Sequence, residues 1–145
     1  MIKILVINGP NLNLLGTRSP EVYGDKTIED LKGYITKYFE KVKVDFFQSN
    51  HEGAIIDKIH ESATRYGGIV LNAGALTHYS YAIRDAIEAV DVPVVEVHIT
   101  NTAARESFRQ NSVITPVCRG SIQGFGFYGY ILAVRALAHD LKRKE

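Results

Sequence analysis

The 145-residue chain has a single cysteine, Cys118, so no intramolecular disulfide can form and a reducing compartment suits it. It also lacks an excess of either charge: 17 Lys and Arg stand against 16 Asp and Glu, a formal +1. That balance excludes the broadly basic surface that nucleic acid or an anionic membrane would attract. Long apolar runs are missing too. The N-terminal one covers residues 2–7 and meets Asn8, Gly9 and Pro10, far short of the ~18 apolar residues of a membrane span and without the shape of a signal peptide. No repeat, low-complexity tract or linker-like stretch interrupts the chain. At 46% hydrophobic and 23% charged residues, the expectation is one globular domain, residues 1–145, cytoplasmic, whose partner is a small molecule or another protein.

Several catalytic signatures are absent as well. There is no GxGxxG after the first apolar run and no GxxxxGK[ST], so dinucleotide and nucleoside-triphosphate cradles are unsupported. GxSxG and HExxH do not occur, which leaves a nucleophilic serine or a helix-borne metal pair without a motif. Cys118 falls in a β-rich run and reads as a small buried hydrophobe. None of the nine lysines follows a strand pattern, which argues against a Schiff-base lysine. Acid–base chemistry on a small polar, anionic substrate remains.

What is present is an alternation. Five short β-rich runs, at 2–7, 43–49, 68–72, 92–99 and 114–118, are separated by helical patterns, and each run is apolar in the manner of strands covered on both faces. Thr27 to Asp30 has the form of a capping signal ahead of a stripe made by Ile28, Leu31, Ile35 and Phe39. A second stripe, from Ile55 to Tyr66, has Asn50 as its candidate cap. Residues 79–90 predict a third helix, 103–108 a short fourth, and 128–142 a last one ending in cations, where a helix C-terminus favours them. The predicted fold is a three-layer α/β sandwich around a flavodoxin-like five-stranded parallel sheet of order 2-1-3-4-5.

Such sheets bind ligands at the carboxyl ends of their strands. Residues directly behind those ends are therefore the site candidates. They are Asn8, Asn11, Asn13, Arg18 and Tyr23 after the first strand, Asn72 and His78 after the third, and Glu96, His98, Thr100 and Asn101 at the fourth, with Arg105 and Arg109 behind. Arg119, Ser121 and Gln123 follow the fifth in a glycine-rich turn, which reads equally as anion-binding or as plain turn geometry.

The stretch at 8–24, NGPNLNLLGTRSPEVYG, is long for a βα connection, and ordered loops beyond roughly 12 residues are often lids or binding loops. Near its end lie Arg18 and Tyr23. A phenol serves as a base near neutrality only where a cation stabilises its phenolate, and Arg18 is the nearby source; the plainer reading packs Tyr23 on the surface beside a solvated arginine. Glu96 and His98 are two apart in a strand and share a face, so the carboxylate can fix the imidazole tautomer. A structural, hydrogen-bonded histidine is the alternative there. Metal binding through His78, His98 and Glu96 stays open on residue types alone.

The motifs NGPNLNLLG (8–16), R-x-P-x-x-Y-G (18–24), LNAGALTHYSYAIRDA (71–86), VEVHITN (95–101), RESFR (105–109) and GFGFYGYILAVRAL (124–137) occur in order. With them the chain closely resembles the type II 3-dehydroquinate dehydratases over residues 2–141. The resemblance implies a lyase of the shikimate pathway (aromatic amino acid biosynthesis) or of quinate breakdown, dehydrating 3-dehydroquinate reversibly through an enolate without metal or organic cofactor. It makes Tyr23 the base, Arg18 the cation that keeps it ionised, Asn11 the holder of an enolate-stabilising water, and His98, oriented by Glu96, the acid. Asn72, His78 and Arg109 would grip ring hydroxyls, and the N–H groups of Ile99 and Thr100 the carboxylate. Asp85 would reach the site from a neighbouring subunit in a dodecamer built of trimers. Many members carry glutamate where this chain has Ser19, which bears on how the lid is anchored. A non-catalytic flavodoxin-like ligand-binding domain, or a metal hydrolase using His78 and His98, is the competing reading.

Overall fold

A computed structural model describes residues 1–144. Five strands, β1 (Ile2–Asn8), β2 (Val42–Gln48), β3 (Gly68–Asn72), β4 (Val94–His98) and β5 (Gly120–Gln123), form one all-parallel sheet in the order β2-β1-β3-β4-β5. Successive strand residues face opposite sides, and β1 shows what this does. Ile4 and Val6 pack with Leu31, Ile35, Tyr130 and Leu137, while Leu5 and Ile7 pack with Ile55, Ile59, Ile83 and Ile87. Two apolar cores therefore sandwich the sheet. One lies under α2 (Ile28–Tyr38) and α5 (Tyr128–Arg143), the other under α3 (Glu52–Ser62) and α4 (Tyr81–Ala89).

Local signals explain most element boundaries. Thr27 and Asp30 exchange side-chain and backbone hydrogen bonds in a complete capping box that starts α2. Ser80 accepts the Ile83 N–H at 3.0 Å and starts α4 two residues later than the periodicity suggested. Asn50 does not cap α3: His51 takes that position without a side-chain bond. The Asn50 carboxamide oxygen instead accepts the Asn11 N–H at 3.0 Å and an N–H of Gln48 at 3.1 Å, pinning the long loop. The short helix expected at 103–108 is a pair of 3-10 turns, Thr102–Ala104 and Ser107–Gln110.

The largest correction concerns the fifth strand. Residues 114–118 do not form it; Thr115–Val117 is a 3-10 turn, and β5 is the GSIQ segment expected to be a turn. Pro116 cannot donate a ladder hydrogen bond. The GSIQ segment is a poor strand former and is extended because β4 offers it an edge, with Glu96 opposite Ser121 and His98 opposite Gln123. Among the described residues no helix is long and apolar enough to cross a membrane.

Candidate active site

The long loop leaves β1 through Gly9, where any Cβ would meet the Ala73 carbonyl oxygen at 2.7 Å, so the β1 and β3 connections touch as only glycine permits. Asn11 sits in the left-handed region at φ 72°, followed by a 3-10 turn, Leu12–Leu14. One helical turn, α1 (Pro20–Tyr23), then carries the lid. It is bracketed by Gly16 at φ +94° and Gly24 at φ +81°. Ser19 precedes α1 without any side-chain cap bond; its carbonyl accepts the Val22 and Tyr23 N–H groups. The lid is thus anchored at Ser19 by backbone, whatever the side chain.

Closed over the strand ends, α1 leaves a cavity of about 40 Å³, room for little more than a water molecule. Arg18, Tyr23, Asn72, His78, His98, Ile99, Thr100 and Arg109, all expected at the site, line it. Arg105, a candidate by its place behind the fourth strand but without an expected role, lines it as well. Its Nη1 donates to Tyr23 Oη at 2.8 Å, while the Arg18 guanidinium carbon lies over the Tyr23 ring, 4.8 Å from its centre. Two cations therefore flank one phenol, and the one touching its oxygen lies 82 residues away in sequence. An oxygen that accepts a guanidinium N–H is stabilised as it gains negative charge. Tyr23 and Ile99 also wall off a larger groove of about 690 Å³ that runs along α2 past Lys26, Tyr34 and Lys37.

On the other side of the cavity, Glu96 and His98 are 2% and 7% exposed, and Glu96 Oε2 accepts from His98 Nε2 at 2.5 Å. Glu96 Oε1 accepts from Ser112 and Thr115. Burial pushes the Glu96 carboxyl upward, but the hydrogen bonds from His98, Thr115 and Ser112, with the nearby His98 charge, more than offset it and hold it below its ordinary value. It is an ionised anchor. With Nε2 committed, His98 keeps Nδ1 for other chemistry. His78 Nδ1 donates to the Asn111 carbonyl at 2.8 Å, and the two imidazoles stack with centres 6.4 Å apart. Burial drives the His78 pKa down; the Asn111 bond opposes this, and the neighbouring His98 and Arg109 charges add to it. A neutral His78 with its Nδ1 proton so committed presents Nε2 as an acceptor. Arg109 is held by Glu106 at 2.8 Å.

The remaining expected residues lie elsewhere. Asn11 is exposed and outside the cavity lining, its backbone held by Asn50. Asp85 is exposed on the outer face of α4. Cys118 is partly buried beside β5, its thiol pushed up to about 12 mainly by burial and secondarily by the Glu96 charge, so it stays protonated. Ser112, Thr115, Asn8 and Tyr130 also build the site. Thr115 was hidden by the misplaced fifth strand, and Tyr130 by a helix whose periodicity marks it only as core.

A doubly wound α/β domain with a cation-flanked phenol facing a carboxylate-anchored imidazole at the carboxyl edge of its sheet is built for acid–base catalysis. The pattern of the family described as dehydroquinase class II matches residues 2–138. A 3-dehydroquinate dehydratase of Bacillus cereus (strain AH187) is 56% identical over 144 residues, which cover 98% of this chain and 99% of that protein. The crystal structure of type II dehydroquinase from Butyrivibrio crossotus DSM 2876 aligns with a TM-score of 0.92 at 52% identity, covering 94% of this chain and 97% of that one. The type II dehydroquinase of Propionibacterium acnes aligns with a TM-score of 0.92 at 40% identity, covering 96% and 97%. The chain belongs to the class II dehydroquinase family, a family of hydro-lyases.

Proposed function

We propose that the protein dehydrates 3-dehydroquinate to 3-dehydroshikimate, reversibly and through an enolate, with Tyr23 as base and His98 as acid. The hydrogen bond from Arg105 to Tyr23 Oη carries this reading. Tyr23 Oη takes a proton from the carbon beside the ketone, and the guanidiniums of Arg105 and Arg18 stabilise the negative charge that the oxygen bears before transfer. The electrons left on carbon delocalise to the ketone oxygen, where a donated hydrogen bond stabilises them; the resemblance gives this role to a water held by Asn11, which lies outside the cavity lining here. His98, held through Nε2 by Glu96, delivers a proton from Nδ1 to the departing hydroxyl, which leaves as water and closes the conjugated enone. Asn72, neutral His78 and Arg109 hold ring hydroxyls, and the Ile99 and Thr100 N–H groups hold the carboxylate.

The space directly under α1 is too small for a cyclic substrate, although a cavity of about 340 Å³ adjoins it along His78, His98 and Arg109. Raising α1 joins the small cavity to the groove along α2, because Tyr23 is their shared wall; lowering it again excludes water and returns Tyr23 to Arg105. Asp85 completes the site of an adjoining subunit in a dodecamer of trimers. The test is to add 3-dehydroquinate and follow the ultraviolet absorbance of the enone. A steady rise is expected; no rise with folded, assembled protein rejects the assignment.

A further inference from the structure

Tyr130 is completely buried, yet its hydroxyl does more than fill the core. It donates to Asn8 Oδ1 at 2.6 Å and accepts from Asn72 Nδ2 at 2.9 Å. Asn72 Oδ1 in turn accepts the Gly74 N–H at 3.2 Å. Asn8 and Asn72 are register partners at the ends of β1 and β3, so a residue of the third layer ties together the two strand ends that floor the cavity.

This chain of bonds has a direction. A backbone N–H can only donate, so Gly74 requires the carboxamide oxygen of Asn72 on its side, which turns Nδ2 toward Tyr130. A hydroxyl has one proton, and that of Tyr130 goes to Asn8. Reversing the Asn72 amide would set two N–H groups against Gly74 and leave its oxygen facing a hydroxyl whose proton is already used. Unpaired buried polar atoms of this kind cost about 1–3 kcal/mol each.

We infer that Tyr130 is a positioning residue: through Asn72 it ensures that substrate meets an N–H donor, and never a carbonyl, at the end of β3. Asn72 lines the cavity with one Nδ2 hydrogen uncommitted, so the substrate atom opposite it is an acceptor oxygen. The inference rests on the dehydratase reading, in which Asn72 is a substrate ligand. A tyrosine here also couples α5 to the catalytic edge without itself touching substrate.

A double-mutant cycle tests it, with kcat and KM for 3-dehydroquinate measured in wild type, Tyr130→Phe, Asn72→Ala and the double variant. Tyr130→Phe is expected to lower kcat/KM by about tenfold, mostly through KM, and to change it less than about twofold once Asn72 is alanine. Equal losses in both backgrounds, or no loss beside a native Asn72, overturn the inference, and so does an Asn72→Ala variant as active as wild type. Wild-type turnover judges the dehydratase reading separately. Should Tyr130→Phe fail to fold, a neutron structure of the wild-type protein exchanged into D₂O with 3-dehydroshikimate decides the matter. A Tyr130 deuteron on the Asn8 side, with one Asn72 N–D to Tyr130 and the other to ligand oxygen, is expected; the reverse polarity contradicts it.

Discussion

At the scale of the residue, the site is a set of side chains whose alternatives have been removed by their neighbours. Glu96 is the clearest case, because its burial would favour the protonated form and three donors overrule it. Its contribution to stability follows in sign. The unfolded carboxyl titrates at its ordinary value near 4.5 and the folded one lower, so the unfolded chain binds more protons between the two values. The stabilisation is therefore present above about pH 4.5 and disappears as pH falls through the folded value. Thermal unfolding recorded from pH 7 to pH 3 should show this acid loss, and Glu96→Gln should flatten it in that window; an unchanged slope would mean the carboxylate is not the group responsible. The pairing of these side chains was legible in part. Glu96 and His98 stand two apart in a strand and declare a shared face, and Arg18 and Tyr23 share a loop. Arg105 gave no such sign, since nothing local in 105–109 says that its guanidinium returns across the sheet edge to a phenol 82 residues earlier.

At the scale of the element, α1 is a single helical turn bracketed by two glycines. Gly16 and Gly24 hold positive φ values that side chains disfavour, and Gly24 has open space around it, so a substitution there acts through backbone strain alone. A non-glycine residue in that conformation costs on the order of 1–3 kcal/mol, charged only to the closed lid. Gly24→Ala should lower kcat/KM by roughly tenfold or more while the melting temperature of the sheet and its cores stays put. A melting temperature that falls with the activity would place the defect in the fold instead. The long β1–α2 connection was recognisable from its length and its two glycines. The β5 edge was not: Ile114 to Cys118 is the more strand-like sequence, but its proline withholds a donor, whereas GSIQ is extended by its neighbour. Capping was read correctly at Thr27, where donor and acceptor are three residues apart, and wrongly at Asn50, whose carboxamide serves a loop 39 residues away.

At the scale of the whole molecule, the alternation of apolar strands and amphipathic helices was enough to predict the sheet order, because a both-faces-buried parallel sheet admits few topologies. The same pattern could not say what the outer face of α4 is for. Tyr81 is 65% exposed there, beside Asp85, away from this chain's own cavity. For Asp85 to serve a neighbour, sedimentation must find an assembly, and Asp85→Ala is expected to lower activity without altering folding or assembly; a fully active monomer would contradict that role. The proposed chemistry depends first on Tyr23, and the most direct measurement compares wild type with Tyr23→Phe for binding of 3-dehydroquinate by calorimetry and for enone formation. Tyr23→Phe is expected to bind substrate with little change and to form enone at least about a hundredfold more slowly. Enone formation within a few-fold of wild type would contradict it, because the proton would then leave by another base.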